Sequence, residues 1–207
     1  MLVHGAGSGP YVFDGWPASF PGVDLVAVDL QDGLDVASAS HDDYARRAAD
    51  AALAARRPLA LCGWSMGGLV VLQAAARVRP AAIVLLEASA PGEVQGFQES
   101  EIHKGTFDPE EIYGAFPPGM PARAESLFAR GERKRGISVP ALPCPSLVVY
   151  GDDFPDDRGR ALAELYGSDV RAFPGLAHWD LVLRPEVPAA VADWLGVTSS
   201  ADVGETI

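Results

Sequence analysis

The sequence predicts an α/β fold: a mostly parallel central sheet of about six strands with helices on both faces, in one domain over residues 1–207. Three observations lead there. Short aliphatic or β-branched runs of strand length alternate with longer stretches whose apolar residues recur at helical spacing. The strand-like runs are apolar at successive positions, as strands covered on both faces are. The chain has 207 residues, 48% hydrophobic and 21% charged, which suits a single globular core.

Leu2-Val3 opens as a first strand and runs into His4-Gly5-Ala6-Gly7-Ser8-Gly9. Residues 23–30 (VDLVAVDL) begin as apolar–acidic alternation and end as a buried-strand pattern. Residues 42–57 carry alanines and aliphatics at helical spacing, and residues 69–78 do the same. Residues 59–64, 81–86 (AAIVLL) and 146–150 (SLVVY) are the remaining clear strand runs. A Pro-Asp-Asp opening suits the N-terminus of a helix over 158–166, and residues 185–195 close the periodic part. Strand, helix, strand, helix implies right-handed crossovers and hence parallel pairing.

Residues 91–140 break the alternation. They hold much of the proline and glycine, no strand pattern, and two short helices expected near 109–116 and 121–133. In so regular a chain this segment is expected to be a short lid or insertion. The polar tail, 197–207, is expected to be flexible.

Charge narrows the partners. Sixteen basic against 28 acidic residues leave a net of −12, which repels nucleic-acid backbones and anionic membrane surfaces. The compact basic run Arg133-Lys134-Arg135 reads as a solvated face. No apolar run approaches the roughly 18 residues of a membrane span, and the N-terminus lacks a signal-peptide pattern. Cys62 and Cys144 offer neither a disulfide framework nor metal-ligand spacing, so free thiols in a reducing cytoplasm are expected. Abundant alanine and arginine, with Lys104 and Lys134 the only lysines, suggest a GC-rich bacterial genome.

The strongest chemical signal is Gly63-Trp64-Ser65-Met66-Gly67-Gly68, set between a strand-like and a helix-like run. That is the context of a nucleophile elbow, a turn so tight that glycines are needed on either side of the serine. The helix N-terminus behind it offers free N–H groups to a developing oxyanion. The loop at His4–Gly9 fails the dinucleotide spacing, because Pro10 stands where a third glycine belongs, and it lacks the P-loop Gly-Lys-Ser/Thr. It can instead aim the Ala6 N–H at the oxygen served by Met66 N–H.

Of four histidines, His178 follows the serine and an acidic loop in the order Ser, Asp/Glu, His, and is the candidate base. His41 is expected to begin a helix, His103 lies in the irregular segment, and His4 is expected to order its own loop. For the acid, Asp152, Asp153, Asp156 and Asp157 compete after the 146–150 strand, and Glu87 follows the 81–86 strand. Asp156 and Asp157 read equally well as helix caps.

These motifs together resemble the α/β-hydrolases of the serine-esterase and lipase type, over nearly the whole chain. The resemblance implies Ser65 as nucleophile, His178 as base, and Ala6 and Met66 as oxyanion donors. It favours Asp153 as the acid over Asp152, with Glu87 the alternative used by relatives whose acid comes from the preceding strand. The chain begins at what would be the family's third strand, so it looks like a short member lacking the first two. Trp64, Met66 and Trp179, with Phe97, Phe107, Tyr113, Phe116 and Phe128, are candidates to line an apolar acyl pocket.

The expected function is that of a cofactor-free serine hydrolase acting on a small or medium, largely apolar ester, thioester or lactone through an acyl-enzyme. Two alternatives stay open: a lyase, acyltransferase or cofactor-free peroxidase on the same fold, and a non-catalytic binding protein that keeps the elbow as architecture.

Overall fold

The computed structural model describes residues 1–99 and 101–197. Of the tail expected to be flexible, only Val197 falls within them; the rest lies outside the described residues.

The chain opens with β1 (Leu2–Val3), two 3-10 turns, and β2 (Ala27–Val28). It continues through α1 (His41–Ala54), β3 (Ala60–Trp64), α2 (Met66–Val78) and β4 (Ala82–Leu86). Then come α3 (Gly92–Gln95), β5 (Thr106–Phe107), α4 (Pro109–Tyr113), β6 (Glu125–Ser126) and α5 (Leu127–Arg135). The last part holds β7 (Ser146–Tyr150), a π turn over Asp156–Arg160 leading into α6 (Ala161–Tyr166), β8 (Asp169–Ala172), α7 (Asp180–Leu183) and α8 (Glu186–Trp194). Among the described residues no helix is long and apolar enough to cross a membrane.

Six strands form one sheet in the order β2-β1-β3-β4-β7-β8, every pair parallel, as the sequence predicts. Strand period two explains why successive residues are all apolar. In β4, Ile83 and Leu85 enter a core shared with α1, α2 and α6, while Val84 and Leu86 enter one shared with α7 and α8. Leu147, Val148 and Val149 of β7 alternate in the same way. The outer strand β8 is exposed along its whole length, so it has no apolar stripe to betray it. At the opposite edge only Ala27–Val28 of the predicted 23–30 run pairs, because β1 offers just two residues.

The irregular segment departs from expectation in detail. It contains a two-residue antiparallel pair, Thr106 facing Ser126 and Phe107 facing Glu125, where no strand is predicted. The helix α4 stops at Tyr113 because Gly114 takes a left-handed φ of 83°. The helix α5 starts at Leu127, six residues later than predicted. Upstream, the backbone of residues 121–124 is engaged elsewhere: Arg123 N–H donates to Gly7 O at 2.8 Å and Gln31 Nε2 to Ala124 O at 2.9 Å. Ser126 then caps the helix by accepting Ala129 N–H at 3.1 Å.

A buried carboxylate ties this segment to the sheet. Glu125 Oε2 accepts Gly7 N–H at 3.0 Å, and Oε1 accepts Tyr44 Oη–H at 2.5 Å and Ser126 N–H at 2.9 Å. One side chain thus joins the first loop, α1 and the insertion.

His41 begins α1, as expected, with Ser40 and Asp43 forming a reciprocal capping box in front of it. The imidazole is buried, meets Gln73 Oε1 through Nδ1 at 2.5 Å, and has no hydrogen-bond partner at Nε2 among the described residues. Burial, and then the charge of Arg133, push its pKa down to about 3. A depressed histidine stabilises the fold above its unfolded pKa of about 6.5, and that share is lost as pH falls from there toward 3. Unfolding free energy is expected to fall by about 1.4 kcal/mol per pH unit on this account. Denaturant titrations between pH 6.0 and 4.5 check it: His41→Gln should flatten the slope, and an unchanged slope would assign the proton uptake to other groups.

Candidate active site

The carboxyl ends of β1, β3, β4, β7 and β8 converge on one rim, and every chemically notable loop leaves from it. The geometry is set where β3 turns into α2. Ser65 has φ 56° and ψ −123°, a left-handed conformation that is strained for a non-glycine residue. Its N–H donates to Leu86 O at 3.0 Å, and its carbonyl accepts Gly68 N–H at 3.0 Å and Ser89 N–H at 2.8 Å. The backbone of β4 and its following loop therefore hold the turn.

The surrounding glycines are demanded by contact. A Cβ on Gly63 would lie 2.3 Å from Gly67 O, and one on Gly67 would lie 2.3 Å from Val3 O. On Gly68 it would lie 2.1 Å from the Ala88 Cβ. A Cβ on Gly5 would stand 3.0 Å from Ser65 Cβ, which measures how closely the first loop approaches the serine. That loop is locked by His4, whose Nδ1–H donates to Gly5 O at 2.9 Å while Nε2 accepts Leu30 N–H at 3.1 Å. Neither Ala6 N–H nor Met66 N–H donates to any group among the described residues, and Met66 is the first residue of α2.

His178 lies in the loop between β8 and α7. Its Nδ1 is 2.6 Å from Glu87 Oε2. A carboxylate acceptor there leaves the proton on Nδ1 and a lone pair on Nε2. The ring stacks on Trp64 at 4.9 Å and meets the Phe154 ring edge-on at 5.5 Å, while Trp64 Nε1 donates to His178 O at 3.1 Å. Glu87 follows β4 directly, is fully buried, and has a left-handed φ of 38°. Its other oxygen, Oε1, accepts Gly151 N–H at 2.8 Å.

The acid expected at the imidazole is thus corrected. Asp153, the first choice from sequence, does not meet the ring: its Oδ2 accepts the backbone N–H of His178 at 2.7 Å. Asp152 accepts Gly175 N–H at 2.8 Å. The cause is how closely the two loops pack, since a Cβ on Gly151 would fall 2.1 Å from Leu176 O. Short aspartate side chains so near a neighbouring loop reach its backbone. The longer glutamate, rising from the adjacent strand beneath the ring, reaches Nδ1.

Ser65, His178, Ala6, Trp64 and Trp179 line one cavity of about 370 Å³. Trp179 packs against Trp64 at 4.7 Å and Phe116 at 4.9 Å, giving an aromatic wall. Of the other aromatics, Tyr113 lines the cavity; Phe97, Phe107 and Phe128 do not, and Phe97 is 63% exposed. The expectation of an apolar pocket is corrected too, because Arg133, Arg158 and Asp153 also line it. In sequence Arg133 belongs to a basic run expected to be a solvated face. It lies on the side of α5 that faces the cavity, a placement set by how that helix packs. Among the described residues no group of three or more His, Cys, Asp or Glu side chains is placed to hold a metal ion.

A family model described as the alpha/beta hydrolase family matches residues 1–194. Among solved structures, the chain is similar to a pyrethroid hydrolase from Sphingobium faniae JZ-2, at 18% identity over 94% of this chain and 96% of that one, TM-score 0.62. It is similar to a methylesterase from Arabidopsis, at 18% over 95% and 99%, TM-score 0.65. It is also similar to the type II thioesterase BorB of the borrelidin biosynthetic cluster, at 19% over 96% and 92%, TM-score 0.64. At such identities the likeness is one of fold. No curated protein matches the sequence.

Gly67→Ala discriminates packing from propensity. In the first turn of an ordinary helix alanine is better than glycine by up to about 1 kcal/mol. Here the new Cβ meets the backbone carbonyls of Val3 and His4, so a loss of about 1–3 kcal/mol is expected in urea denaturation. A gain in stability would refute the close approach.

Proposed function

The chain belongs to the α/β-hydrolase family, and from that premise we propose that it is a serine hydrolase acting on a small ester or thioester through an acyl-enzyme. One observation carries this reading: His178, bonded to Glu87 at 2.6 Å, faces the same cavity as the strained Ser65. The structures that share the fold are named a hydrolase, a methylesterase and a thioesterase, which lie in the same reaction class.

In this mechanism Ser65 Oγ attacks the substrate carbonyl carbon and its proton passes to His178 Nε2. Glu87 keeps the Nδ1 proton and stabilises the imidazolium with its buried charge, whose other oxygen the Gly151 N–H already satisfies. The unengaged N–H groups of Ala6 and Met66 receive the negative oxygen. The tetrahedral species collapses, and the leaving alcohol or thiol takes the proton from Nε2. Water then attacks the acyl-enzyme, gives its proton to the same nitrogen, and releases the acid. Tyr113, Phe116 and Arg133 come from residues 91–140 and line the cavity, which supports reading that segment as a short lid.

Intact-mass labelling with a fluorophosphonate probe tests the nucleophile. One adduct is expected on wild type, none on Ser65→Ala, and strongly slowed labelling on His178→Ala. Folded wild type that takes no label over hours would defeat the proposal. A second comparison separates the carboxylates. Glu87→Gln should lower kcat for p-nitrophenyl acetate by roughly 10³–10⁴-fold, since the imidazole loses the partner that sets its tautomer. Asp153→Asn keeps an oxygen acceptor for the His178 backbone and should cost less than about tenfold, within one hydrogen bond's worth. The reverse ranking would reinstate Asp153.

A further inference from the structure

The cavity beside Ser65 contains more positive charge than ester cleavage requires. Arg133, from α5, and Arg158, from the π turn after β7, both line it. Neither has a carboxylate within 4.0 Å among the described residues, although the chain carries 28 acidic groups. Arg133 Nη2 donates to the Tyr113 hydroxyl at 3.1 Å, and its Nη1 is buried with no hydrogen-bond partner among the described residues. Arg158 makes no hydrogen bond among the described residues; its guanidinium lies over the Phe154 ring, 3.9 Å from the centroid. That ring also touches His178, so Arg158 is fastened one ring away from the candidate base.

Half-buried guanidinium groups without a counter-ion are costly, and an anion between them would offset the cost. Burial, and then the Arg133 charge, push the Arg158 guanidinium down from its ordinary value, while Glu87 and Asp157 act the other way. Arginine stays charged through shifts of this kind.

We propose that this cavity takes an ester or thioester carrying a carboxylate, held by Arg133 and Arg158 with the Tyr113 hydroxyl while the scissile carbonyl lies at Ser65. The inference rests on the hydrolase reading and names its substrate class. Charge favours a carboxylate over a phosphate. The charged side chains that line the cavity are two guanidinium groups and the carboxylate of Asp153, so one negative charge balances the lining. Guanidinium forks suit the planar carboxylate geometrically. A cavity of about 370 Å³ is at the small end for ligand sites, which suits a short dicarboxylic half-ester. Water adds across the ester bond, giving acid and alcohol, and the carboxylate itself is unchanged.

The experiment compares mono-p-nitrophenyl glutarate with the neutral p-nitrophenyl pentanoate on wild-type protein. The anionic ester should have the higher kcat/KM by about tenfold or more at low salt, and added KCl should narrow the gap. Arg133→Met and Arg158→Met should each reduce that ratio by about tenfold, mainly through KM. If neither variant folds, the wild-type ratio decides. Binding without turnover is read on Ser65→Ala: monomethyl glutarate should raise its melting temperature, and Arg158→Met added to it should abolish the shift. Inorganic phosphate serves as the rival anion, and tighter binding of phosphate than of the glutarate ester would overturn the carboxylate assignment. Equal or better hydrolysis of the pentanoate, with Ser65 labelling intact, would overturn the inference and leave the hydrolase reading standing. Absence of labelling with glutarate-ester binding intact would overturn the hydrolase reading and the substrate assignment with it, leaving only a carboxylate site at the two arginines.

Discussion

The site depends on one steric constraint, the near contact between the first turn of α2 and the backbones of β1 and β3. Gly63 and Gly67 approach so closely that a methyl group on either would sit 2.3 Å from a carbonyl oxygen. Because α2 is drawn in that far, the chain has a single residue in which to turn, and Ser65 takes a left-handed φ of 56° to do it. The strain is held by hydrogen bonds to Leu86 and Ser89 on the neighbouring strand and loop. That same strand continues directly into Glu87. The serine's conformation and the position of the buried carboxylate are therefore set by one piece of backbone.

The carboxylates around His178 divide their work between ring and backbone. Glu87 is fully buried, and both its oxygens meet donors, the imidazole and the Gly151 amide. A buried charge is tolerable only when satisfied in this way. Asp152 and Asp153 are exposed and bind backbone N–H groups of the histidine loop. Trp64 adds a ring to stack upon and a donor to the histidine carbonyl. The imidazole is thus oriented by contacts from β3, β4 and the loop after β7, none of which is adjacent to it in sequence. Glu125 does the corresponding work on the other side of the site, holding Gly7 to α1 and the insertion from within the core.

Net charge describes the outside of this molecule and misdescribes its cavity. An overall balance of −12 coexists with Arg133 and Arg158 facing the same small space. Fields in a partly desolvated pocket are governed by the few groups that line it, because solvent and salt screen the distant ones. Aromatic walls strengthen the effect. Phe154 contacts both Arg158 and His178, so the hydrophobic surface around the imidazole is continuous with the surface that positions the cation.

Residue patterns alone determined the central strands, their parallel pairing, the tight turn at Ser65 and the candidacy of His178 among the histidines. Each is written locally: period-two apolar runs buried on both faces, a glycine spacing imposed by a tight turn, and an order along the chain. The edge strand β8 escaped because an exposed strand needs no apolar stripe, and the start of α5 was misplaced because tertiary hydrogen bonds claim residues 121–124. Only the tertiary structure decided which acid meets the imidazole. Asp152, Asp153 and Glu87 are equivalent as letters after strands; their side-chain lengths and the spacing of two loops separate them. The same holds for Arg133, a member of a basic run in sequence and a wall of the cavity in space. Which face of a short helix turns inward depends on the packing of partners distant in the chain, and no local pattern records it.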